Sequence, residues 1–180
     1  MDELNIFGRN HIMFDLETLS QHQNATIISI GAVKFTFEDG LGEEFMMNVD
    51  PMSCVKLGLH VQTSTIEWWE KQSKEAQDAW KVDPKQIQEA VVGINNFIGS
   101  EKNQFIWAHG SVFDCGILTS AFNACKIEKK WPYYNEMDSR TIFNLFGIRN
   151  DKIRMEEGQY HTSLADAKSQ ARTLIGIFNG

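Results

Sequence analysis

The sequence predicts one α/β domain, a mixed β-sheet flanked by α-helices. Strand-like stretches crowd the first fifty residues, and helical periodicity takes over from Ser64. A short apolar stretch, residues 105–108, then interrupts the helices as a buried strand. At 180 residues the chain is long enough to bury a proper core. No repeat, low-complexity tract or linker divides it, so residues 1–180 read as a single domain with its core over about residues 11–178.

The opening strand covers residues 11–18. Read with period two, Ile12, Phe14 and Leu16 point to one face, and Met13, Asp15 and Glu17 to the other. Residues 20–24 form a loop, residues 25–37 are apolar and β-branched enough for a long strand, and Glu38-Asp39-Gly40 is a turn. A third strand over residues 44–49 completes a β-meander, which Asp50-Pro51 ends. Residues 52–62 show no clear period.

Ser64 and Glu67 have the spacing of a capping box ahead of Ile66, Trp68 and Trp69. Ser73 caps a second short helix through Trp80. Asp83-Pro84 predicts a further helix start, with Ile87, Ala90, Val91, Ile94, Phe97 and Ile98 at helical spacing behind it. After the strand at 105–108, Phe113, Ile117, Leu118, Ala121 and Phe122 mark one face of a helix reaching about Cys125. Residues 129–134 are a connector, and Asp138 or Ser139 caps a helix through Phe146. Residues 150–159 read as a mobile loop. The last helix runs from Ser163 to about Phe178, with Leu164, Ala167, Ala171, Leu174, Ile175 and Phe178 on one side.

Composition narrows the function classes. A net charge of −7 disfavours a protein that coats nucleic acid with a broad basic surface. It is compatible with an enzyme that grips a few nucleotides through metal ions, since two divalent cations would bring the charge to about −3. Cys54, Cys115 and Cys125 are odd in number and lack C-x-x-C spacing, which argues for a reducing compartment and against a disulfide framework or zinc site. No apolar run approaches a membrane span, and no secretory signal pattern opens the chain, so a cytoplasmic protein is expected.

The acids carry the chemistry. Asp15 and Glu17 stand side by side on the first strand, roughly 6–7 Å apart along it. Alone, the pair fits a solvent-facing strand end as well as a site for Mg²⁺ or Mn²⁺. Asp114 opens a helix, where favourable interaction with the helix dipole would account for it. Asp166 follows Ser163 by three residues and would complete a capping pair. His161, in a polar loop, would ordinarily be solvated. One explanation covers all five: the two helix starts meet the strand's polar face, and four carboxylates converge with a histidine at the rim. Like charges so placed need cations. Two metals about 3.5–4 Å apart would clamp a phosphate for in-line displacement. His161, with an ordinary pKa near 6.5, is suited to take the proton of the attacking water.

In order, Asp15-x-Glu17-Thr18, Phe113-Asp114 and His161-x-x-x-x-Asp166 resemble the three exonuclease motifs of the DEDDh family of ribonuclease H-like proteins. The stretches 14–18, 28–33, 65–73, 138–141 and 161–167 are similar to a branch of small bacterial and phage 3′–5′ exonucleases. The resemblance spans about residues 11–171 and implies a ribonuclease H-like fold. It implies ligation of two divalent ions, Mg²⁺ or Mn²⁺, by Asp15, Glu17, Asp114 and Asp166, with His161 as general base. Thr162 stands where the tyrosine-type subclass would differ. Thr18 and Leu19 would hold the 3′-terminal nucleotide, and Phe113 is a further candidate substrate contact. Gly110 departs from the asparagine of many proofreading-type members. Trp68 and Trp69 diverge by about 100° on a helix, which puts at least one in the core and leaves the other to stack on a base. Asp138 reads as a helix cap, and Arg140 as facing either a phosphate or a carboxylate.

The implied function is release of nucleoside 5′-monophosphates from the 3′ ends of single-stranded DNA or RNA, with a slight lean to DNA from the phage-like resemblance. Family habit adds a homodimer. Two rivals stay open: cleavage of dinucleotides or nucleotide caps on the same centre, and a non-catalytic binding protein that keeps the fold.

Overall fold

The computed structural model describes residues 6–101, 104–149 and 161–180. Strands β1 (Asn10–Thr18), β2 (Ile27–Thr36) and β3 (Gly40–Asn48) form the predicted meander. Four helices follow, α1 (Pro51–Lys56), α2 (Thr63–Trp69), α3 (Lys74–Ala79) and α4 (Ile87–Ile98). Then come β4 (Gln104–Ala108), α5 (Ser111–Cys125), β5 (Glu136–Asp138), α6 (Ser139–Leu145) and α7 (Ser163–Asn179). The five strands make one mixed sheet in the order β3-β2-β1-β4-β5. β1–β2 and β2–β3 pair antiparallel, while β4 runs parallel to β1 and β5 parallel to β4.

The period-two reading of β1 holds on both faces. Ile12, Phe14 and Leu16 enter a core with Ile30, Ala32, Ile87, Ile94, Ile117 and Leu118, which packs α4 and α5 under the sheet. Met13 goes to the opposite face and meets Val33, Phe35, Trp107, Ala167, Ala171 and Leu174, under α7. Asp15 and Glu17 share the α7 face. That face is apolar toward the start of β1 and acidic toward its end. Among the described residues no helix is long and apolar enough to cross a membrane.

Four local readings need correction. Asp50-Pro51 starts a helix as well as ending β3: Pro51 takes the first helical position, and the Asp50 carboxylate accepts the N–H of Met52 at 3.0 Å. The capping box at Ser64 and Glu67 does not form, because α2 begins one residue earlier behind Gln62, which makes no side-chain cap. Asp83-Pro84 does not open α4. Asp83 sits at φ 46 and pairs with Lys85, and α4 starts at Ile87, whose N–H donates to Ser53 Oγ at 2.9 Å. β5, three residues long, is too short for any periodicity to reveal. By contrast Ser73 caps α3 and Asp138 caps α6 as read. The loop expected over residues 150–159 lies outside the described residues.

Candidate active site

Register places the acids. Across the antiparallel β1–β2 pair, Asp15 lies opposite Gly31 and Glu17 opposite Ser29. Gly31 is where α7 lands on the sheet. A Cβ there would stand 2.1 Å from the backbone nitrogen of Leu164 and 2.3 Å from the carbonyl carbon of Ser163. Only a residue without a side chain lets the helix start come so close. Beside it, the hydroxyls of Ser29 and Ser163 hydrogen-bond at 2.7 Å, both buried. These contacts bring Asp166, in the first turn of α7, to the end of β1. One turn further, Gln170 Nε2 donates to Asp15 Oδ1 at 3.0 Å. Gln170 was missed in the sequence, although its position four residues after Asp166 puts both on one helix face. The lone glycine in an apolar strand was the available signal for Gly31.

Asp114 arrives from the other side of β1. The β1–β4 ladder ends at the Met13–Trp107 pair, and β4 then turns through Gly110 into α5. Beyond the ladder, the buried carboxylate of Asp114 accepts the N–H of Leu16 and so takes a place no strand fills.

His161 sits just before α7 with φ 60. Its ring meets that of Trp68 edge-on at 5.1 Å and that of Trp69 at 6.5 Å. Ligand atoms of Glu17, His161 and Asp166 all lie within 4.8 Å of one another.

The remaining candidates divide by burial. Trp69 is 4% exposed and its indole N–H donates to the Thr18 carbonyl at 2.9 Å, while Trp68 is 42% exposed. The surface of the pair therefore belongs to Trp68, and Trp69 is placed to brace the backbone after Glu17 rather than to meet a base. Leu19 packs with Ile28, Trp69 and Ala76 in a small core, which leaves its side chain little surface to offer a nucleotide. Thr18 is buried and donates its hydroxyl to the Ser20 carbonyl at 2.8 Å. Phe113 lies partly buried against the core beneath α5.

Residues 10–178 match the family model of the 3′-5′ exoribonuclease Rv2179c-like domain. The chain belongs to that family. It is a 3′–5′ exonuclease. No curated protein sequence matches the chain. Among solved structures, the nuclease domain of 3′hExo, a DEDDh family member bound to rAMP, superposes with a TM-score of 0.62 at 14% identity, over 95% of this chain and 92% of that one. Escherichia coli exonuclease I in complex with a dA16 oligonucleotide gives 0.68 at 13% identity, covering 95% of this chain and 41% of the larger enzyme. Schizosaccharomyces pombe Pop2p, in a Mg²⁺- and Mn²⁺-bound form, gives 0.63 at 13% identity over 93% of this chain and 82% of that one. At these identities the three likenesses bear on the fold, which is ribonuclease H-like.

In the exonuclease, burial raises all four carboxyls above their ordinary range, and the charges of their neighbours in the cluster add to it at Asp15 and Glu17. Burial pushes Asp15 well above the usual carboxylate range, and the charges of Asp114, Glu17 and Asp166 push it further against the Gln170 hydrogen bond. Burial, then Asp166 and Asp114, raise Glu17 to about 8. Burial raises Asp114 to about 7 in spite of the Arg140 charge and the Leu16 N–H. Burial also raises Asp166 to about 7 and lowers His161. Such a group is held as anions only by added positive charge. Glu17, Asp166 and the His161 imidazole form the close group of ligand atoms, and Asp15 and Asp114 interact electrostatically with its acids, an oxygen-rich set that suits Mg²⁺ or Mn²⁺. The residues present therefore fit a divalent cation.

Proposed function

We propose that this protein removes nucleoside 5′-monophosphates one at a time from the 3′ ends of single-stranded nucleic acid, in a reaction that requires two Mg²⁺ or Mn²⁺ ions. The observation that carries the proposal is the convergence of Asp15, Glu17, Asp114, Asp166 and His161 from three separate stretches of chain at one end of β1. The family's description as an exoribonuclease favours RNA over the DNA lean of the sequence.

In this reading Asp15, Glu17, Asp114 and Asp166 hold the cations. When bound, the ions acidify the attacking water and offset charge on the scissile phosphate and leaving oxygen. Gln170 fixes the rotamer of Asp15 through its hydrogen bond. His161, lowered by burial, is neutral at physiological pH and accepts the water's proton. Trp68 presents its exposed ring beside His161 as a platform for the terminal base. Trp69 fixes the Thr18 carbonyl, and with it the backbone along which the terminal sugar would lie.

The test incubates 5′-labelled single-stranded RNA and the matching DNA with the protein in Mg²⁺, Mn²⁺ or EDTA, beside Asp15→Asn. The expected result is a ladder that shortens from the 3′ end of RNA, requires metal and is absent in the variant. Cleavage confined to dinucleotides or caps would replace the polymer reading. No cleavage of any of these in either metal would leave a binding protein.

A further inference from the structure

Arg140 is a cation whose charge reaches the acid cluster at Asp114. It stands at the second residue of α6, after β5, on the far side of β1 from Trp68 and His161. Its Nη2 donates to the His109 carbonyl at 2.9 Å. The guanidinium lies over Gly110, where a Cβ would stand 3.2 Å from Nη2 and 3.3 Å from Cζ. Gly110 has φ +108, so the loop that leads from β4 to Asp114 needs a glycine for its backbone and for the arginine resting on it. One oxygen of Asp138 accepts both the Gly110 N–H at 3.2 Å and the Arg140 N–H at 2.9 Å. The start of α6 and the start of α5 are thereby fastened together, with the guanidinium between them.

Among the described residues, Arg140 has no ion-paired carboxylate. Lys34, Lys74, Lys81, Lys85, Lys129 and Lys168 each lie within ion-pair distance of a carboxylate. Among the described residues no carboxylate pairs in this way with Arg140, and its side chain is exposed. Among the described residues it is also the only cation found to act on any of the four clustered carboxyls, through Asp114. A guanidinium carries five N–H donors in a rigid fork suited to phosphate, and one of them is occupied here. In a chain of net charge −7, an oriented and unpaired arginine beside the acids is a place for the substrate's own negative charge.

We infer that Arg140 binds a non-scissile phosphodiester of the substrate, on the side of the acids away from Trp68, and so sets the path by which the strand leaves the site. The inference rests on the exonuclease reading above. It makes Arg140 a substrate-binding residue that acts on affinity more than on the chemical step.

The test places Arg140→Gln and Arg140→Lys in an Asp15→Asn background and measures binding of fluorescent single-stranded RNA in Mn²⁺. One phosphate at a time is replaced by an uncharged methylphosphonate. Loss of the charged contact should weaken binding about 10–100-fold, with Arg140→Lys in between. The slope of log affinity against log salt should fall by about 0.7. A methylphosphonate at one internal linkage should weaken binding to the parent and leave the Arg140→Gln complex unchanged. In the active enzyme, Arg140→Gln should raise KM by a similar factor and leave kcat within a few-fold. Equal losses at every linkage in both proteins, or an unchanged salt slope, would overturn the inference. So would a fall in kcat and Tm with KM unchanged, which would make Arg140 a structural clamp. If the active enzyme degrades no single strand, the exonuclease reading fails on that arm alone, and the binding arm still decides Arg140.

Discussion

Gly31→Ala should separate catalysis from folding more cleanly than any change to a charged residue. The substitution adds one methyl group, and all three atoms it meets are backbone: Leu164 N at 2.1 Å, Ser163 C at 2.3 Å and Leu164 Cα at 2.5 Å. No rotamer relieves these contacts, so the start of α7 must withdraw by about 1.3 Å to reach ordinary van der Waals distance. Overpacking of this kind costs about 1–3 kcal/mol, which for a chain of this size lowers Tm by about 2–12 °C. Catalysis should suffer more. Asp166 and His161 move with the helix start, while Asp15 and Glu17 stay on β1, and a misplacement of about 1 Å costs on the order of 10²-fold. Circular dichroism gives Tm, and turnover on single-stranded RNA at 25 °C, where the variant stays folded, gives the rate. The expected outcome is a folded protein with about one hundredth of the activity and weakened Mn²⁺ binding by calorimetry. A variant with wild-type Tm and turnover would refute the close seating of α7 on β2 as the device that assembles the site.

The other predictions follow from charge and burial. Asp15→Asn should abolish turnover while raising the metal-free Tm, because a buried and repelled carboxyl is gone; wild-type turnover would remove Asp15 from the metal site. Raised carboxyls keep their protons in the folded state after the unfolded chain has released them. Metal-free stability should therefore be full below about pH 4 and fall through pH 7–8, as Glu17, Asp114 and Asp166 ionise. Mn²⁺ should restore more Tm at pH 8 than at pH 6, and a pH-independent metal-free Tm would contradict the clustering. His161→Ala should keep calorimetric Mn²⁺ binding and lose about 10²–10⁴-fold in rate, whereas an unchanged rate across pH 6–9 would take His161 out of the proton transfer. Trp69→Ala should cost about 3–5 kcal/mol of stability by denaturant titration, and Trp68→Ala should cost about 1–3 kcal/mol of RNA binding with little change in Tm; the reverse pattern would invert their assignments.

The sheet was legible wherever a period ran long enough to count. β1, with its apolar face of Ile12, Phe14 and Leu16, and α4 and α5, with their apolar stripes, were readable because burial on one face is the main thing those residues do. The acids were readable as an ordered set, and the structure brings them to one end of β1. Illegible were the features that exist only across distant segments. Gln170 reads as an ordinary helical polar residue until Asp15 stands 3.0 Å away. Gly31 reads as a weak point in a strand until α7 is laid on it. The failures at Asp83 and Ser64 have different causes, a rival partner for the side chain in one and a shifted helix start in the other. Lys85 takes Asp83, and α2 begins one residue before Ser64.

The placement of the acids explains why the helix that carries Asp166 is also a main element of the core. As the four buried carboxyls ionise in the absence of cations, their repulsion pushes the end of β1 and the helix starts apart. α7 resists this with Ala167, Ala171 and Leu174, packed on Met13, Val33 and Trp107 on the same sheet face. Small residues in the first two turns let the helix lie close, and the seat at Gly31 fixes its N-terminal end. The repulsion is thus borne by a helix whose apolar face extends well beyond the site, and the acids keep their positions before any ion arrives. A cation bound by these residues would meet donors already oriented, so little of its binding energy would be spent on ordering the chain.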